Sequence, residues 1–314
     1  MSGALASRAA SPYGDAVKAP SRWRRALRAD EVSYLFIAPA LALYIGVILA
    51  PILMGVRYAF TNWDGLRRTV DNVGFANFER MIGDIQVRSA VLTTLVIAAS
   101  LVIVKVALGL ALALAVNGNL KTRKFLRVAF FMPVVLTPVI VSYAWKYIFS
   151  NEGSLNTLLG VFGLGPYQWL GDPLLALISV IVVTSWQSVG LSMVIFLAGL
   201  QAFPPELTEA AIIDGATPWQ RFRNVTLPML APAMTVCVVI ALIQGLRFFD
   251  QIYALTRGGP GYATETLSTM IYRISFQFGE FSYGAAVALV FSLIVAAIVL
   301  PVMVVLRRRE IAHG

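Results

Sequence analysis

Ser185, Ser188 and Ser192 recur at three- and four-residue spacing inside an apolar run, with Gln187 and Gly190 beside them. On a helix the three hydroxyls share one face. Small residues let helices approach closely in lipid; alternatively, the hydroxyls and the Gln187 amide line a hydrated path for a polar solute. Both readings stand. Gln244, Arg247 and Gln251 fall at the same spacings at the end of another apolar run, where a polar vestibule and an interfacial anchor account for them equally well. Lys105 lies deep in a third run. A buried ammonium is costly in lipid, so such a residue faces a cavity or a partner, or snorkels to the interface. The chemistry open to these groups is non-covalent, the holding of a solute by hydrogen bonds and charge. The candidate path residues are Gln187, Ser188, Gln244 and Arg247, and Arg247 on such a path favours an anionic solute.

Covalent chemistry finds no support. His313 is the only histidine and lies one residue from the end, so it cannot join a catalytic pair or a metal cluster within the chain. Cys237 is the only cysteine, sits in an apolar run and reads as a packing residue. Gly258-Gly259-Pro260-Gly261 is a turn, without the lysine and serine of a phosphate-binding loop. No catalytic residue, metal or cofactor is expected.

The elements that must position these groups are long apolar helices. The chain has 314 residues, 58% hydrophobic and 13% charged, against about one quarter charged in a soluble domain. Apolar runs at 34–56, 90–116, 128–149, 174–200, 229–246 and 284–306 mostly reach the roughly 20 residues that cross a bilayer core. Six spans fit best, with five as the alternative, and the fold class is an all-α polytopic membrane protein. Ser33–Val56 is a full span rather than the short core of a secretory signal. Pro133 and Pro138 interrupt span three, as a kink near a gate or as ordinary membrane-helix prolines. Asn117, Gly118 and Asn119 end span two with residues that tolerate left-handed geometry. Asp172 and Pro173 cap span four.

Charge sets the topology. The net charge is +9. The amino-terminal tail 1–33, the loop Lys121–Arg127, the loop holding Arg221 and Arg223, and the tail 307–314 carry most of the basic residues, on alternate sides of the spans. That bias puts both termini in the cytoplasm, as expected of a multi-pass protein of a cell inner membrane. It also gives the basic patches a topological cause, against nucleic-acid binding.

Between spans four and five lies a polar loop, 203–228. Pro205 opens a short helix with Glu206 at its positive end, and Gly215 stops it. Thr217, Pro218 and Gln220 form a capping box that starts a second helix, closed by Pro228. Short helices are marginal alone; the bundle can hold the second, while the first looks like a docking element for another protein.

Glu209-Ala210-Ala211, Gly215 and Leu227-Pro228 resemble the EAA signature of permeases in binding-protein-dependent ABC importers. Val225 stands where isoleucine is usual. Leu197–Gln201, Asp214–Ala216, Trp219–Phe222 and Arg257-Gly258-Gly259-Pro260 with Thr264, Thr266 and Leu267 are similar to the carbohydrate branch, the maltose and sn-glycerol-3-phosphate permeases, although Arg257 replaces the usual entry to the glycine pair. Trp145, Gly153 and Asn156 also fit. The resemblance implies a type I ABC importer permease fold with a domain from 34 to 306. It implies a second homologous permease, two ATP-binding subunits and an extracytoplasmic solute-binding protein as partners, and a sugar or related small solute. It also implies that Glu209, Ala210, Ala211, Asp214 and Gly215 couple to the ATPase: Glu209 by polar contact, the alanines by close approach and Gly215 by its turn. Alternatives are a permease for glycerol phosphate or a polyol and, more distantly, a secondary transporter, which needs no docking partner at 205–215.

Overall fold

The computed structural model describes residues 37–118 and 121–313. The amino-terminal tail 1–33, with its basic residues, and Asn119 lie outside the described residues. The chain divides after Met54 into two units. The described part of the first is helical and opens helix α1, Ala38–Tyr58, which carries a π-helical turn at Ile45–Leu49. No residue of α1 is buried, and its apolar side chains point outward all round, as on a helix solvated by lipid.

The second unit is built on α3, Ile85–Asn117, and α7, Pro173–Gln201, which pack along their lengths. Around them lie α4, Arg123–Val135, against α7, and α10, Ala231–Leu246, against α3 and against α13, Phe281–His313. Short helices complete it: α2, Ala76–Gly83; α5, Pro138–Ile148; α6, Ser154–Val161; α8, Pro205–Ile213; α9, Pro218–Met229; α11, Asp250–Leu255; and α12, Leu267–Tyr272. Among the described residues four helices are long and apolar enough to cross a membrane, and the bent pairs α4–α5 and α9–α10 bring the number to six.

Small residues hold the central helices together. A Cβ on Gly190 of α7 would strike the carbonyl oxygen of Phe130, and one on Gly109 of α3 would strike the Ser192 side chain. Without a hydrophobic force between helices in lipid, such approaches supply the packing.

Span three is not a kinked helix but two helices meeting at 101°. Pro133 is absorbed within α4, and the break comes at Pro138, whose ring forces Thr137 into an extended conformation (φ −68°, ψ 139°). Pro228 does not close the loop helix, which runs on to Met229; the 67° bend falls at Leu230, before Pro232. Span two stops at Asn117 as expected, but Gly118 is extended (φ −66°, ψ 174°) rather than left-handed.

Candidate functional site

A cavity of about 440 Å³ opens between α3, α7, α10, α11 and the break in span three. Lys105, Gln187, Ser188, Gln244, Arg247 and Gln251 all line it, with Thr184, Asp250, Phe248, Phe249, Val134 and Pro138. The four candidate path residues therefore line one cavity. They reach it by a route that helical spacing did not foresee. Helix α10 ends at Leu246, Arg247 is its cap, and Gln251 belongs to α11. Gln244, Arg247 and Gln251 thus sit on no common helix; the turn at Arg247–Phe249 folds them around the same space.

The polar groups are unequally committed. Gln187 Nε2 donates to the Leu136 carbonyl at 2.7 Å, and Gln187 Oε1 accepts from Gln251 Nε2. Both ends of the Gln187 amide are therefore engaged. Leu136 and Thr137 are extended at the break (ψ 144° and 139°), so the Leu136 carbonyl leaves the helical ladder and Gln187 supplies its donor. Ser188 Oγ donates to Thr184 O at 2.6 Å, keeping its acceptor lone pairs for the cavity. Lys105 Nζ donates to Gln244 Oε1 at 2.6 Å, which leaves the Gln244 amide nitrogen free to donate. Lys105 is 3% exposed, while Gln244, Arg247 and Asp250 are exposed.

The serine stripe divides between its two readings. Ser188 faces the cavity, whereas Ser192 is buried against Gly109 and its carbonyl accepts from Cys237 Sγ at 3.8 Å. Cys237 is buried in the cluster around Met193, Phe196 and Leu230, in keeping with a packing role.

The segment after α11 props up the wall. Thr266 Oγ1 donates to the carbonyl of Phe248 at 3.1 Å, and the Leu267 amide donates to Thr94 Oγ1 on α3 at 3.0 Å. Within it Glu265 Oε2 lies 3.0 Å from Arg273 Nη1 but out of line for a hydrogen bond, so the contact is Coulombic. The Arg273 guanidinium also lies over the Tyr262 ring at 4.2 Å. Burial pushes the Glu265 carboxyl above its ordinary value, against the pull of Arg273 and of the nearby Thr269 hydroxyl.

At the far side of the sequence loop, α8 carries Glu209 and Ala210 exposed and Ala211 half-buried. Asp214 caps the helix, and its amide donates to Ala210 O at 2.9 Å. Gly215 has φ +76°, and the Ala216 amide reaches back to Ala211 O at 3.0 Å, a left-handed stop of the kind glycine favours. Thr217 and Gln220 make the reciprocal capping box. Ile213 is 85% exposed and Trp219 65% exposed. Leu207, Ile212 and Ile213 give α8 an uncovered apolar surface.

Residues 105–311 match the family model described as a binding-protein-dependent transport system inner membrane component. The chain is 34% identical over 279 residues to the probable starch degradation products transport system permease protein AmyD of Thermoanaerobacterium thermosulfurigenes, covering 88% of this chain and 94% of that one. It is 36% identical over 267 residues to the multiple sugar-binding transport system permease protein MsmF of Streptococcus mutans, covering 84% and 91%. Among solved structures it is similar to a chain of a bacterial ABC transporter involved in the import of the acidic polysaccharide alginate, with a TM-score of 0.80 and 26% identity, over 91% of this chain and 98% of that one.

Proposed function

Because this chain belongs to the family of binding-protein-dependent transport system inner membrane components, we propose that it forms half of the translocation path of a sugar importer and is driven through its EAA loop. It is a multi-pass, non-catalytic permease subunit of an ABC-type carbohydrate importer with the type I permease fold. Its family works with a paired permease, ATPase subunits and a solute-binding protein.

The cavity is the observation that carries the reading. It gathers Lys105 of α3, Ser188 of α7 and Gln244 and Arg247 at the end of α10 around one space in an otherwise apolar bundle. Such a lining exchanges hydrogen bonds with a hydroxyl-rich solute and need not react with it. Gln187 lines the same space but braces the break in span three.

The coupling half of the proposal rests on α8. A short exposed helix with an apolar surface and a rigid glycine stop suits a cleft in an ATP-binding subunit. In this reading both termini and the 203–228 loop lie in the cytoplasm of a cell whose inner membrane holds the complex. Nucleotide-driven closure pushes α8, and α9–α10, bent at Leu230, carry the movement to the cavity wall.

Affinity purification of the complex expressed with its neighbouring genes tests the assignment. An ATP-binding subunit co-purifies, and Glu209→Cys crosslinks to it in a nucleotide-dependent way. Sugar uptake driven by an ion gradient through the isolated chain would instead support a secondary transporter.

A further inference from the structure

Lys105 has a place and a partner that packing does not explain, and its meaning rests on the cavity being the solute path. The residue lies twelve positions before the end of α3, about 18 Å along the axis at 1.5 Å per residue, and so deep within a 33-residue helix. Its side chain ends on Gln244 of α10 rather than at either end of its helix, so it does not snorkel. The ion pairs among the described residues join Arg67 to Asp64, Arg80 to Glu280 and Arg273 to Glu265; none includes Lys105. The ammonium has three donors and one recorded acceptor, a neutral amide oxygen.

That bond also determines what the wall offers. With its carbonyl spent on Lys105, Gln244 presents its amide hydrogens. Arg247 adds a guanidinium, which only donates. The charged groups lining the cavity are Lys105, Arg247 and Asp250, two positive and one negative. A cation deep in an apolar bundle is stable beside opposite charge or oxygen lone pairs, and among the described residues no carboxylate pairs with Lys105.

We propose that Lys105 is a specificity-determining residue of the path: held by Gln244, its ammonium selects saccharides bearing an anionic oxygen group, a carboxylate or a phosphate, over neutral ones of the same size. Charge-assisted hydrogen bonds from a donor-rich wall favour such a group.

The test uses the assembled importer with its own binding protein and ATPases in proteoliposomes. Uptake is compared for a neutral oligosaccharide, a uronate oligosaccharide of the same length and a sugar phosphate. Binding of each to the isolated binding protein is measured alongside, so that delivery cancels. Lys105→Gln should lower the acidic-to-neutral uptake ratio about tenfold, and Lys105→Arg should retain it. The acidic sugar that responds shows whether carboxylate or phosphate is the natural group. Uptake of neutral sugars alone by the wild type overturns the proposal. So does an unchanged ratio, or an equal loss for every solute, as when the second permease supplies the counter-charge. If Lys105→Gln does not assemble, amine labelling of the wild-type complex reads the same point: an acidic sugar protects Lys105 and a neutral one does not, and lack of protection overturns the proposal. Undiminished uptake in Ser188→Leu and Gln244→Leu as well would remove the path itself, a separate failure.

Discussion

Gln187 donates through Nε2 to the carbonyl oxygen of Leu136 at 2.7 Å, so a side chain of one span engages the backbone of another where that span breaks. The same amide accepts from Gln251. Three segments of the chain, at residues 136, 187 and 251, are thereby joined at the cavity. Gln187 thereby braces the wall of the cavity that it lines.

Gln187→Leu leaves the Leu136 carbonyl and the Gln251 amide without their partner. An unsatisfied buried polar group costs about 1–3 kcal/mol, so thermal unfolding of the detergent-solubilised complex should shift clearly downward. Gln251→Leu removes only one of the two bonds and should shift it less. An unchanged midpoint in Gln187→Leu would contradict the bracing role.

Gly190→Val should disrupt the bundle itself. Its first added carbon strikes the Phe130 carbonyl, backbone that cannot swing aside. Overpacking typically costs about 1–3 kcal/mol, and a clash with backbone belongs at the upper end. The expected result is a loss of monodisperse complex by size exclusion, with membrane insertion retained.

Gly215 separates conformation from crowding. Nothing lies within 4 Å of a Cβ built there, yet φ is +76°. A branched residue therefore loses about 1–2 kcal/mol to backbone strain alone. Gly215→Val should reduce coupled uptake and ATPase stimulation while the protein inserts normally. Gly215→Asn, which tolerates this geometry, should be much milder. Equal effects of the two variants would argue for a lost contact instead of a lost turn.

Glu265 makes a prediction about pH. Burial raises its carboxyl above the ordinary 4.5 in the folded protein. The fold then favours the protonated form, so this contribution to stability is complete below pH 4.5 and is lost as pH rises through the folded value. Glu265→Gln cannot titrate. The unfolding temperature of the wild type minus that of Glu265→Gln should fall with rising pH across that range. A difference that grows with pH would mean that Arg273 outweighs burial.

Local chemistry was the most legible part of the chain. Asp172 accepts from the amides of Leu174 and Leu175, both at 2.9 Å, and the Thr217–Gln220 box closes as its spacing predicts, because such caps involve residues within one turn of each other. The apolar runs likewise announced the long helices. Contacts across the chain were not legible in this way. The bond from the Leu267 amide to Thr94 joins positions 173 residues apart, and no periodicity encodes it. Polarity and spacing mark the path candidates. Gln244, Arg247 and Gln251 do line one cavity, but through a break in the helix that spacing alone reads as continuous. Asp250, three residues after Arg247, lines it too, and its charge is plain in the sequence.

That break has a further consequence. Residues 247 to 249 leave α10 through non-helical backbone, with Phe249 at φ −131° and ψ −59°, and Arg247 and Asp250 are exposed to the cavity. Their side chains are not wedged between helices as Gly190 is. A change of side chain at 247 or 250 therefore alters the chemistry of this rim while leaving the helix packing of the bundle untouched.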